Sequence, residues 1–221
     1  MLDLEEVLSL ETELKLRFSS KEEMLKLRSE EWFSGILIPN SEKTEYYDTK
    51  YFETKDRALL AHGASIRVRE IRDGDFVHTV KIGVNSRDGL HQRFEWNLET
   101  TEDEFDPDIF SRHAITDGDP SEILEEVLAS ISGKELTMIC RTSFERTLSL
   151  AGFGDSLLEI CFDCGSLYAK NAQENLCELE IELKQGDVRD VLALGDEIIS
   201  LTGAVKDDRG KYARCLALLG S

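Results

Sequence analysis

The stretch Leu10-Glu11-Thr12-Glu13-Leu14-Lys15-Leu16-Arg17-Phe18 decides how the chain is read. With a period of two, Glu11, Glu13, Lys15 and Arg17 share one face, and Thr12, Leu14, Leu16 and Phe18 the other, which predicts a strand. Its charged face runs acid, acid, base, base. Same-face neighbours on a strand stand about 6.5–7 Å apart, so two carboxylates can share a cation while the bases beyond them hold an anion. Taken alone, the stretch fits a half-exposed strand with a wet charged face better. The rest of the chain decides between the two.

Near the other end, Cys177-Glu178-Leu179-Glu180-Ile181-Glu182-Leu183-Lys184 repeats the pattern, with Glu178, Glu180, Glu182 and Lys184 on one side and leucines and isoleucine on the other. Between them, Ser65, Arg67 and Arg69 share a face, as do Thr79 and Lys81. So do Arg93, Glu95 and Asn97, then Arg141, Ser143 and Glu145, and finally Leu157, Glu159, Cys161 and Asp163. At least six strands thus pair an apolar face with an ionisable one. A sandwich or a lipocalin-type barrel would turn the apolar face inward. The ordered mixture of acids and bases points the other way, and the predicted helices need an apolar surface to cover. Both indicate an α+β fold, a closed antiparallel β-barrel with a polar, charged lumen and helices packed on its outside.

The helices are a Ser-capped one opening at Ser19-Ser20-Lys21 and ending before Leu37, with Met24, Leu25, Leu27 and Trp32 inward, and a short turn from Asp56 to Leu60. Two longer ones run over Pro120–Leu128 and, capped by Asp187, over Asp187–Leu201. Asp73-Gly74 predicts a hairpin turn. A loop is expected around Gly83 and Gly89, a long acidic excursion from Thr101 to Pro120, a strand ending at Gly165, and a lead-in over Met1–Ser9.

Composition bounds the function. The chain has 221 residues, enough for one core, and no linker or repeat divides it, so a single domain over 1–221 is expected. Forty-five acids against 26 bases leave a net charge of −19, which disfavours nucleic acid and anionic membranes as partners. No apolar run has the length of a membrane span and no signal sequence opens the chain, so a cytoplasmic protein, monomer or homodimer, with five reduced cysteines is expected. Cys161 and Cys164 form a C-x-x-C without the second pair a zinc site would want. His62, His78, His91 and His113 show no ligand spacing and read as surface or turn residues.

A lumen this charged is costly unless its charges are paired with each other or with ligands. Lys15, Arg67, Arg69, Lys81, Arg93, Arg141 and Lys184 suit a highly charged oligoanion. Glu11, Glu13, Glu178, Glu180 and Glu182 suit a hard divalent cation, Mg²⁺ or Mn²⁺, that bridges to phosphate oxygens.

Glu11-Thr12-Glu13-Leu14-Lys15 resembles the ExExK signature of the CYTH, or triphosphate tunnel metalloenzyme, superfamily. Tyr51-Phe52-Glu53-Thr54 resembles its YFDT element, and Arg67-x-Arg69 its paired-arginine strand. Lys81 is similar to its mid-barrel lysine, Arg93-Phe94-Glu95-Trp96 to an R-x-E-W element, Glu178–Lys184 to its late acidic strand, and Lys211-Tyr212-Ala213-Arg214 to its C-terminal lysine motif. In this order the elements cover roughly residues 9–216. The resemblance implies an eight-stranded antiparallel tunnel that binds triphosphate with one or two divalent cations. It implies metal-dependent hydrolysis of a triphosphate, first of all inorganic tripolyphosphate. Thiamine triphosphate hydrolysis, ATP cyclisation or non-catalytic polyphosphate or nucleotide binding on the same scaffold are the alternatives. It casts Glu11, Glu13 and Glu180, with Glu178 or Glu182, as metal ligands, and the basic residues Lys15, Arg67, Arg69, Lys81, Arg141 and Lys184 as the phosphate clamp. Lys211 resembles the lysine near the attacking water, and Lys211 or Lys15 would be a proton acceptor only with a lowered pKa. Two departures stand out: Glu53 where Asp is usual, and Asn97 where a further acid is common.

Overall fold

A computed structural model describes residues 8–72, 74–114 and 121–220. Eight antiparallel strands close into a barrel: β1 (Leu8–Arg17), β2 (Lys43–Thr54), β3 (Ala64–Arg72), β4 (Asp75–Arg87), β5 (Leu90–Thr100), β6 (Leu136–Phe153), β7 (Ser156–Ala169) and β8 (Ala172–Gln185). Around the barrel the order is β5-β4-β3-β2-β6-β7-β8-β1, and β1 pairs back onto β5 to close the ring. A two-residue strand, β9 (Val205–Lys206), adds to the end of β1. Closure leaves none of the eight long strands with a free edge.

The apolar strand faces point outward and are covered by helices. Leu14, Leu16, Leu158, Ile160, Leu179 and Ile181 of β1, β7 and β8 pack under α1 (Lys21–Ser29), α2 (Glu31–Ile36) and α6 (Val188–Thr202). On the opposite wall, Ile66, Val68, Val80, Ile82 and Trp96 pack under α3 (Ala58–Ala61), α4 (Pro107–Ala114) and α5 (Ser121–Ile131). A third cluster, with Tyr51, Phe144, Leu167 and Leu176 from the strands, meets Cys215 of α7 (Lys211–Leu219), so this last helix plugs one end of the barrel. Gly195 of α6 is required by the packing, because a Cβ there would meet the Leu14 side chain at 2.1 Å.

Local signals explain the helix ends. The Ser20 hydroxyl accepts from the Glu23 N–H at 3.2 Å, Asp187 caps α6 through the Arg189 N–H, and Gly203 ends α6 with φ +74°. The expected helix through Trp32 breaks into two at Glu30, whose extended φ/ψ separates α1 from α2. The loop expected around Gly83 is strand: β4 runs on to Arg87, and only Asp88-Gly89, with φ of 53° and 79°, turns the chain. Gly165 does not end β7 but lets it lie against β6, since a Cβ would meet the Ser143 carbonyl at 2.2 Å. The acidic excursion contains α4. Asp73 of the predicted hairpin, Met1–Val7 of the lead-in and residues 115–120 lie outside the described residues, as does the side chain of His113.

Candidate active site in the barrel lumen

The lumen holds a cavity of about 660 Å³ lined by Glu11, Glu13, Lys15, Arg67, Arg69, Lys81, Arg93, Glu180, Glu182, Lys184 and Lys211, all expected from sequence. Period-two alternation delivers them, because β1 contributes odd and β8 even positions to one interior, with Glu13 opposite Glu182 and Lys15 opposite Glu180. Arg141 is not among them. It is exposed, 54% by side chain, and forks onto Asp48 on the outer surface. In this part of β6 it is the even positions Thr142, Phe144 and Arg146 that turn inward. The expectation that Arg141, Ser143 and Glu145 face the lumen has the parity reversed. Arg146 takes the interior place, gripping Asp163 through Nε and Nη2 at 2.7 Å each and also reaching Glu180.

The deepest feature is an ion cluster. The Lys211 ammonium, at the first residue of α7, lies 2.7 Å from Asp163, 2.7 Å from Glu178 and 2.9 Å from Glu180. These three carboxylates converge as a cation site would, and the ammonium is the cation they hold. Glu178 is also bound by Arg214 at 3.1 Å and, unlike Glu11, Glu13, Glu180 and Glu182, does not line the cavity. Lys15 joins the cluster through Glu180 and, at 3.0 Å, Glu13. Burial disfavours the charged ammonium of Lys211, but Asp163, Glu178 and Glu180 more than offset it and hold its pKa well above the ordinary value. Lys15 is likewise raised against burial, by Glu13, Glu180 and Glu178. These carboxylates hold both lysines in the charged form in the ligand-free protein. Burial would also raise Glu180, yet Lys15, Lys211 and Arg146 pull its carboxyl well below the usual range.

Two walls of the cavity carry incompletely compensated charge of opposite sign. On one, Arg69 forms no ion pair with a carboxylate among the described residues. Its Nε donates to Thr49 Oγ1 at 3.1 Å and its guanidinium lies 4.0 Å from the Tyr47 ring centroid. Burial, then Arg67 and Arg146, lower it to about 10. Arg67 beside it reaches Glu95 at 3.1 Å but leaves its buried Nε without a partner. On the other wall Glu182 is pushed up to about 7 by burial and by Glu11 and Glu159, against the pull of Lys184 at 2.9 Å. Carboxylate oxygens suit a hard divalent cation, and Glu11, Glu13, Glu180 and Glu182 are cavity-lining acids that could hold one. Glu11 is meanwhile tied to Lys81 at 2.8 Å and Glu13 to Arg93 at 2.8 Å.

Several site residues were not singled out by sequence. His91, expected at the surface, is buried at the cavity wall. Its Nδ1 accepts from Arg93 at 2.6 Å, its Nε2–H donates to the Asp207 carbonyl at 3.0 Å, and burial with Arg93 and Lys15 lowers it to about 4, so it is neutral. His78 is buried too, against the Glu102 carbonyl at 2.8 Å. Glu95, grouped with Arg93 but given no role, pairs with both Arg67 and Lys81. Glu53, read as a departure in a turn, accepts from the Leu59 and Leu60 N–H groups at 3.1 and 2.9 Å and from the Tyr212 hydroxyl at 2.6 Å, fastening α3 to α7. Asn97 bridges Thr79 and Glu95. Cys140 and Cys215 form a disulfide between β6 and α7, so the five thiols are not all reduced.

A closed barrel with an inward-facing, two-signed charge lattice and a helix plug carrying Lys211 and Arg214 defines a charge-lined tunnel. The chain belongs to the CYTH domain family, whose model matches residues 9–215. It is 27% identical over 188 residues to an inorganic triphosphatase from Haemophilus influenzae, covering 85% of this chain and 49% of that protein, so it spans about half the length of this curated relative. Solved structures share the fold. A protein from Hippeastrum, for which a dominant triphosphatase activity is described, superposes with a TM-score of 0.58 at 17% identity, over 94% of this chain and 95% of that one. A Pyrococcus horikoshii protein gives 0.52 at 16%, over 93% and 98%. No helix among the described residues is long and apolar enough to cross a membrane.

Proposed function

We propose that the chain is a divalent-metal-dependent triphosphatase that splits inorganic tripolyphosphate into diphosphate and phosphate. The observation that carries the reading is the pair of opposed walls: on one, Arg69 has no carboxylate partner among the described residues and Arg67 keeps a buried Nε without an acceptor, while on the other Glu182, crowded by Glu11 and Glu159, is pushed up to about 7 despite Lys184. A metal-chelated oligophosphate supplies both missing charges at once. Glu11, Glu13, Glu180 and Glu182 would hold Mg²⁺ or Mn²⁺, which when bound neutralises developing phosphate charge as a Lewis acid. Arg67, Arg69, Lys81, Arg93 and Arg146 bind the phosphate oxygens, with Lys184 at the rim. Lys15 and Lys211 supply fixed positive charge beside the phosphate chain, and a Lys211 N–H reaches water or a product oxygen by exchanging one of its three carboxylate acceptors. Catalysis is then positioning and electrostatic stabilisation without a lysine base.

The reading takes residues 1–221 as one tunnel domain, because three core clusters surround a single lumen. It also takes the protein as cytoplasmic, monomeric or homodimeric, and without nucleic-acid or membrane partners. Three free thiols and the net charge of −19 support this, and the Cys140–Cys215 bond is buried away from reductants. Phosphate release from tripolyphosphate, thiamine triphosphate and ATP, each with Mg²⁺ or Mn²⁺ and with cyclic AMP measured in parallel, tests the assignment. Tripolyphosphate should be preferred, and Glu13→Gln should abolish turnover. A chain that binds tripolyphosphate without releasing phosphate would be a binding module instead.

A further inference from the structure

We propose that Cys164 and Cys177 form a closable dithiol on the outer wall of the barrel, a site that a small-molecule disulfide converts into an inter-strand Cys164–Cys177 bond. The C-x-x-C of the sequence is not the reactive pair. Three residues apart on β7, Cys161 turns into the lumen and is buried, while Cys164 turns outward and is partly exposed. The partner of Cys164 is across the ladder: it stands directly opposite Cys177 of β8, which is also partly exposed.

The backbone fixes the geometry of that pair. The Phe18 N–H donates to the Cys177 carbonyl at 3.0 Å, so the polar groups of Cys177 point toward the end of β1 and away from β7. Cys164–Cys177 is therefore a non-hydrogen-bonded antiparallel pair, the kind in which Cα atoms approach to about 4.5 Å and side chains lie closest. Disulfides span Cα separations of about 4.4–6.8 Å, so closure requires rotation of two side chains and little movement of strands. The adjoining rung is Asp163–Glu178, which carries two of the carboxylates around Lys211. The bond would pin the strand pair beside that ion cluster without replacing any member of it.

The chemistry balances with oxidised glutathione as oxidant. One cysteine thiolate attacks a glutathione sulfur and releases one reduced glutathione. The second cysteine, losing its proton, displaces the other glutathione from the mixed disulfide. Two protein thiols are oxidised to one bond, and one glutathione disulfide is reduced to two thiols. Burial pushes Cys164 up to about 11, so the reaction is run at mildly alkaline pH.

The folded chain is incubated with oxidised glutathione, alkylated, digested with trypsin without reduction and examined by mass spectrometry. The expected product joins fragment 147–170 to fragment 171–184, with fragment ions placing the link at Cys164. Cys161→Ser should keep the link, and Cys164→Ser should lose it and leave glutathione on Cys177. The linked protein should melt a few degrees higher, since the crosslink restricts only the unfolded chain. Complete alkylation of both thiols, mixed disulfides that persist on the wild-type protein, a link through Cys161, or a lowered melting temperature would each overturn the proposal.

Discussion

The ammonium of Lys211 lies 2.7 Å from the carboxylate of Asp163, an ion pair buried between the plug helix and strand β7. Glu178 and Glu180 complete its surroundings, so Lys211 neutralises carboxylates that would otherwise repel one another in a dry interior. Removing one member of such a cluster leaves charge uncompensated. Lys211→Met is expected to lower stability by about 3–5 kcal/mol in urea unfolding without ligand. A loss under about 1 kcal/mol, the scale of an exposed pair, would mean that Arg146, Arg214 and Lys15 suffice.

Glu182 gives the protein a pH signature. Its folded pKa, about 7, is above its ordinary 4.5, so its contribution to stability is complete below 4.5 and is lost as the pH climbs through 7. For this mostly buried group the loss is up to about 3 kcal/mol. Binding of Mg²⁺ should reverse the shift and expel a proton near neutral pH, read by calorimetry in buffers of different ionisation enthalpy. Glu182→Gln should flatten the stability profile over this range and abolish the proton release; an unchanged release would assign the proton to another group.

Arg69 predicts the opposite trade. Its half-buried guanidinium has no carboxylate partner among the described residues, so Arg69→Met should leave the ligand-free protein as stable as wild type or more so. Tripolyphosphate affinity should fall at least tenfold, about 1.4 kcal/mol. Thermal shift with and without Mg²⁺-tripolyphosphate measures both halves in one experiment, and a destabilised variant with intact binding would refute the assignment.

Arg141 and Arg146 separate a surface pair from a tunnel residue five positions along the same strand. Arg141→Ala should change stability by about 0–1 kcal/mol and leave phosphate release near wild type. Arg146→Ala, which frees Asp163 and Glu180, should lose activity by orders of magnitude and also lower the unfolding midpoint. Equal activities of the two variants would contradict the inward parity of the even positions.

Much of the barrel was legible in the sequence because strand alternation is a local property. Glu11 to Arg17 and Glu178 to Lys184 each separate charge from leucine cleanly, and the helices, which need an apolar surface to cover, assign the leucine face to the outside and the charged face to the lumen. The same logic marked Arg67, Arg69, Lys81 and Arg93. It failed on β6, where Arg141, Ser143 and Glu145 alternate with Thr142, Phe144 and Arg146, and neither set is plainly apolar. A register shift between Tyr51 and Phe52 of the paired strand adds to the ambiguity. His91 and His78 were missed because a lone histidine carries no periodic signal.

The sequence by itself determined which strands exist, that their charged faces turn inward, and the CYTH resemblance that orders them. Tertiary structure alone decided the state of those charges. Lys211 meets Asp163 and Glu178 only after β7, β8 and α7 converge, Cys164 meets Cys177 only through the ladder, and Arg69 has no carboxylate within reach among the described residues. Whether an ionisable group is paired, raised or lowered depends on distance and burial in three dimensions, and residue spacing along a chain encodes neither.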